Sequence, residues 1–202
     1  MNSAKILISK EELQLVSDPG IILTKNRIIQ KVYELFGVLA ESFKQVAERA
    51  PNIPEGALTL SPKISRGENY MRLPYVMLDY PRSFSTQDVL ALRTMFWWGH
   101  FFSVTLHLKG SYQDLFVKSW QNEVPLLADQ SWWMQTGNDE WQHHRDGDTH
   151  LEISTIHLNE WRALLQGRKF LKLSCYFPLA KWNDAETILL KSFTEFVKLL
   201  RN

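Results

Sequence analysis

A single cysteine, Cys175, excludes an intramolecular disulfide, so this 202-residue chain relies on packing alone and suits a reducing compartment. Neither sign of charge is in excess: 23 Lys and Arg stand against 22 Asp and Glu. That balance gives no electrostatic footprint for nucleic acid or an anionic membrane. Apolar runs are short as well. The stretch 94–108 lacks Lys, Arg, Asp and Glu, but it spans about 15 residues where a membrane-crossing helix needs about 20. The opening MNSAKILISKEEL holds only three consecutive apolar residues before charge resumes, so no secretory signal is visible. The nine glycines are dispersed, and no P-loop, GxGxxG or GxSxG pattern occurs. A cytoplasmic location is expected, with neither nucleic acid nor membrane as a partner.

What is present is ordinary globular material: 45% hydrophobic and 22% charged residues, enough for one domain over residues 1–202. Ser9 and Glu12 have capping-box spacing, which starts a short helix that stops before Asp18-Pro19-Gly20. Residues 1–23 are therefore read as a helical extension at the periphery. A longer helix begins at Thr24 or Asn26, carries Ile28, Val32, Leu35, Phe36, Leu39, Phe43 and Val46 at threes and fours, and is closed by Pro51.

LTLSPKIS alternates as a half-buried strand, with Pro62 marking an edge. Arg66-Gly67-Glu68-Asn69 reads as the turn into MRLPYVMLDY, where consecutive Val76, Met77 and Leu78 imply cover on both faces. Ser85 and Asp88 repeat the capping-box spacing, and residues 86–98 remain open between helix and strand. FFSVTLHL alternates as a strand; Ser111 and Asp114 cap a helix that ends before Pro125; SWWMQTG is a short strand. A polar loop follows over 137–150, then a helix stopped by Gly167. The strand KFLKLSCYF and a final helix, capped by Asn183 or Asp184 and striped by Leu189, Phe193, Phe196, Val197 and Leu200, complete the chain. The expected class is α+β, with a mainly antiparallel sheet of about five strands packed with helices.

The blocks VYELFGVLAESF, RGENYMRLPYVMLDY, FFSVTLHLKGSYQDLF and LLQGRKFLKLSCYF give the chain a resemblance to the YktB-like family of uncharacterised bacterial proteins. That resemblance implies a curved sheet backed by helices and carries no catalytic residues. The doubled Trp97-Trp98 and the paired His143-His144 depart from the family's pattern.

Two constellations remain. Taken as one strand, 93–108 puts Phe96, Phe102, Val104, Leu106 and Leu108 on a core face. The odd face holds Arg93, Trp97, Phe101, Ser103, Thr105 and His107: aromatic walls with a few oriented polar groups, as in a ligand pocket. Arg72 and Arg82 add positive charge at the rim and favour an acidic or phosphorylated ligand. The leading expectation is a non-enzymatic intracellular protein binding a small, acidic ligand or a protein partner through this face. No cofactor is implied.

The alternative is a metal-assisted hydrolase built on His143, His144, Asp146, Asp148 and His150. It requires at least three of those side chains to converge on one point. Their spacing is poor for calcium, because counting from Asp146 puts Leu151 and His157 where Gly and Glu are required. A solvated loop is the plainer reading of this segment. Cys175 shares a strand face with Leu171, Leu173 and Phe177 and is read as core.

Overall fold

The computed structural model describes residues 6–122, 124 and 131–201; Pro125 lies outside them. Helix α1 (Lys10–Ser17) opens with the expected capping box, in which Glu12 N donates to Ser9 Oγ at 3.1 Å and Ser9 N donates to Glu12 Oε2 at 2.7 Å. The Asp-Pro-Gly segment does more than stop that helix. Asp18 accepts a hydrogen bond from Gly20 N at 2.8 Å, and Pro19 takes the first helical position, so α2 (Pro19–Glu48) starts five residues earlier than Thr24. Proline is preorganised for that position because its missing N–H is unpaired there anyway.

After the short α3 (Glu55–Leu58) comes an antiparallel meander: β1 (Lys63–Tyr70), β2 (Leu73–Phe84), β3 (Val89–Trp97) and β4 (Phe101–Lys109). Arg66-Gly67-Glu68-Asn69 lies within β1 rather than in a turn. Gly67 serves packing, since a Cβ there would sit 2.5 Å from the Tyr75 ring. The hairpin turn is Met71-Arg72, both at positive φ (51° and 67°), between the paired Tyr70 and Leu73. Residues 89–97 are strand, and Ser85 closes a turn by accepting from Asp88 N instead of capping a helix.

The chain continues through α4 (Ser111–Trp120), β5 (Trp132–Gln135), β6 (His150–Glu152), α5 (Leu158–Leu165), β7 (Phe170–Pro178) and α6 (Ala185–Leu199). Ser111 does not cap α4; Asp88 reaches across from the β2–β3 turn to accept from Ser111 N at 2.7 Å. Gly167 sits at φ +67° just past α5, the left-handed position that its sequence context predicts.

Among the described residues, six helices flank one open sheet of seven strands in the order β1-β2-β3-β4-β7-β5-β6, a single α+β domain. The two strands beyond the expected five have plain causes. Residues 93–108 are two strands folded about Trp98-Gly99-His100, and β6 is too short to show a period.

Helices α2 and α6 cover one face. Phe43 and Phe193 stack between them with ring centroids 3.9 Å apart, over Leu78, Phe96, Phe102 and Val104. Trp161 Nε1 donates to the Trp120 carbonyl and Trp120 Nε1 to the Leu199 carbonyl, tying α5, α4 and the end of α6 together. Cys175 faces this core, and burial pushes its thiol up to about 12. Among the described residues no helix is long and apolar enough to cross a membrane.

Candidate functional site

The opposite sheet face carries the odd residues of β3 and β4. A three-residue turn between Trp97 and Phe101 pairs odd with odd: Arg93 with Thr105, Met95 with Ser103, Ala91 with His107. The face read from an unbroken strand therefore survives the chain reversal. In β7 it is the even residues, Lys172, Ser174 and Tyr176, that lie beside it.

Several polar groups on this face pair with one another, although buried His107 Nε2 and Glu140 Oε1 make no hydrogen bond. Asp79 of β2 lies opposite Arg93, and the guanidinium binds it at both oxygens: Nε to Oδ1 at 2.7 Å and Nη2 to Oδ2 at 2.9 Å. The Thr105 and Ser174 hydroxyls are 2.9 Å apart. Lys172, 2% exposed, donates from Nζ to the carbonyls of Glu140 and Gln142. Burial, then the nearby Arg93, holds its amine down to about 7, while Asp139 and Glu140 pull the other way.

The roof over these groups is the 136–149 loop. Its predicted solvation holds at Asn138, Asp139, Trp141 and the tip from Arg145 to Asp148, where Asp148 N donates to Asp146 Oδ1. Glu140 folds inward, with Oε2 2.9 Å from Lys109 Nζ and Oε1 3.4 Å from His107 Nε2. The Tyr70 hydroxyl accepts from His143 N and shares a hydrogen bond with His144 Nδ1, both at 2.7 Å. Arg93 Nη1 donates to His143 Nε2 at 3.3 Å. His150 Nδ1 accepts from Asp146 N. Desolvation drives His107 down to about 3, His143 to about 2 and His150 to about 4, with Lys172 adding to each shift. Neutral imidazoles are what a covered site already holding Arg93 and Lys172 permits.

The metal-site residues thus turn to separate partners: His143 to Arg93, His144 to Tyr70, His150 to its own loop. Among the described residues, no three His, Cys, Asp or Glu side chains are placed to hold a metal ion. The convergence that the hydrolase alternative requires is not there.

The aromatic end of the face is filled. Trp97 is 5% exposed; its Nε1 donates to the Tyr70 carbonyl, its ring stacks on His100 with centroids 3.6 Å apart, and Phe101 packs against it. Ser103, Thr105 and His107 are buried too. Arg72 is exposed in the β1–β2 turn, at the Trp97 end of the hairpin, away from Arg93.

The open concavity lies at the Arg93 end. A cleft of about 250 Å³ is lined by Lys63, Ser65, Asp79, Arg82, Phe84, Arg93 and Trp141. Phe84 and Trp141 face each other across 6.4 Å, the Arg93 guanidinium lies 5.7 Å from the Phe84 centroid, and Arg82 Nε is fixed on the Ser61 carbonyl at 2.8 Å. Of the residues expected at the pocket and its rim, Arg93 and Arg82 line it. Lys63 and Trp141 escaped the sequence reading because they come from a mispositioned strand and a loop, and Arg82 reaches the cleft through a bulge. The bulge is the register shift between Asp79 and Arg82, which puts Arg82 on the Arg93 side.

Fold and face together define the class: an open antiparallel α+β sheet with helices on one side and, on the other, a polar seam roofed by a loop and open at one end. No protein-family model, curated protein or solved structure matches the chain.

Proposed function

We propose that the protein is a non-enzymatic binding protein for a small anionic ligand, taken up in the cleft beside Arg93. The observation that carries this is the lining itself: three cationic side chains against one carboxylate, between two partly open aromatic rings. Asp79 already occupies the Arg93 fork, so the cleft's excess positive charge comes from Lys63 and Arg82. An anionic group bound there meets both, and a flat apolar body finds Phe84 and Trp141. The volume falls below the roughly 300–1,000 Å³ of drug-sized sites, which favours a compact acid over a nucleotide. The resemblance to YktB-like proteins rests on sequence blocks alone and adds no activity to this reading.

A thermal-shift panel of inorganic phosphate, aliphatic carboxylates and aromatic carboxylates tests the reading. Raised melting temperature with an aromatic carboxylate, lost in Arg82→Gln and reduced in Trp141→Ala, is the expected pattern. A panel that shifts wild type and Arg82→Gln equally would overturn it.

A further inference from the structure

Residues 6–24 are exposed without a break, and α1 buries none of its side chains. The core stripe of α2, Ile29-Val32-Phe36-Leu39-Phe43, steps by three and four. Run backward, the same steps reach Lys25, which pairs with Glu68 of β1 at 2.7 Å, and then Ile22, which is 56% exposed. The inward side of α2 thus continues past the edge of the sheet, where none of the described residues covers it. Residues 19–24 extend that way for about 9 Å. With α1 they frame an apolar groove of about 670 Å³ that includes Leu7, Leu15, Val16, Ile21 and Ile22.

Two magnitudes argue that the groove is not left bare. The Ile, Leu and Val side chains that line this groove present on the order of 800 Å², beyond the roughly 300–600 Å² of the largest patch on a typical monomer. An eight-residue helix such as α1 is also marginal in water unless its apolar side is covered.

We propose that the arm is a symmetric interface between two copies of this chain, each groove receiving the partner's apolar residues. The available surface is comparable to the roughly 800 Å² per partner of a standard interface. Charge argues against a lipid surface: within residues 6–24 a single cation, Lys10, stands against Glu11, Glu12 and Asp18, so the arm lacks the basic face that draws amphipathic helices to anionic lipid. A two-fold arrangement also closes, so association stops at the dimer.

Sedimentation equilibrium of the full chain, from low to high micromolar concentration, is the test. Wild type is expected to be dimeric. Leu15→Glu combined with Ile22→Glu is expected to weaken dimerisation by more than about tenfold while far-UV circular dichroism loses at most the helical signal of α1, because both side chains lie outside the core. Ile22→Glu alone gives a milder reading of the same interface should the double variant fold poorly. A wild type that remains monomeric throughout overturns the proposal, as does a dimer that survives both variants. Monomeric protein that floats with phosphatidylglycerol vesicles would also overturn it, by assigning the arm to a membrane surface.

Discussion

Asp79 and Arg93 show what a buried polar residue demands of its neighbours. Their side chains are 8% and 16% exposed and meet through two parallel hydrogen bonds. Losing one partner strands the other charge away from water. Asp79→Asn should therefore destabilise the protein by about 3 kcal/mol, whereas Asp79→Leu with Arg93→Met should recover most of that loss. Urea unfolding of Asp79→Leu, Arg93→Met and the double variant decides it; an additive double variant would show that the pair is not coupled. Strand alternation gave Arg93 its face, and Asp79, two residues after Met77 in VMLDY, lies on the Met77 face of β2. That the two faces meet side by side follows from the hairpin register, which no local pattern encodes.

Among the elements, the β1–β2 hairpin departs furthest from its sequence signals. Arg66-Gly67-Glu68-Asn69 offers turn residues, yet the chain turns at Met71-Arg72. Register explains the choice: pairing Ser65 with Met77 and Lys63 with Asp79 places the polar side of β1 on the seam side and Ile64 opposite Leu78. A one-residue slip would reverse those faces, which outweighs holding two non-glycine residues at positive φ. Two-residue turns with both central φ positive prefer Asn-Gly. Met71→Asn with Arg72→Gly should accordingly stabilise the fold by about 1 kcal/mol, read as a raised midpoint in chemical denaturation. A lowered midpoint would mean that the native side chains make contacts worth more than the strain. The strand expected at LTLSPKIS begins at Lys63 instead, because Glu55–Leu58 takes a helical turn and Pro62 precedes the ladder.

For the whole molecule, the roofed seam couples stability to pH in a definite direction. Lys172 is held near 7 in the fold against 10.5 ordinarily, so the unfolded chain carries the extra proton across that interval. Stability then rises with pH from about 7 to 10.5, and the penalty of burying the amine is complete below 7. His107, His143 and His150 stay neutral in the fold down to about 3, 2 and 4, against 6.5 unfolded, so stability falls as pH drops below 6.5. Each group contributes at most about 1.4 kcal/mol per pH unit. Urea midpoints near pH 5, 7 and 9 should climb in that order. Lys172→Met should flatten the alkaline limb and His107→Gln part of the acid limb, while a profile level from 5 to 9 would show that the loop does not seal the seam.

Period and punctuation, both local, sufficed for the α+β class, the capping box at Ser9, the inward stripes of α2 and α6, the core placement of Cys175 and the mixed face of residues 93–107. Side-chain alternation depends only on neighbouring residues, and a symmetric three-residue turn carried it intact from β3 into β4. Tertiary structure alone decided where the loop of 136–149 lies, that Trp97 is filled in while the cleft beside Arg93 stays open, and that the start of α2 outruns the sheet. These rest on pairs such as Arg93 with His143 and Tyr70 with His144, 50 and 74 residues apart. Closing loops of that length draws on the energy of the assembled sheet, which no window of sequence contains.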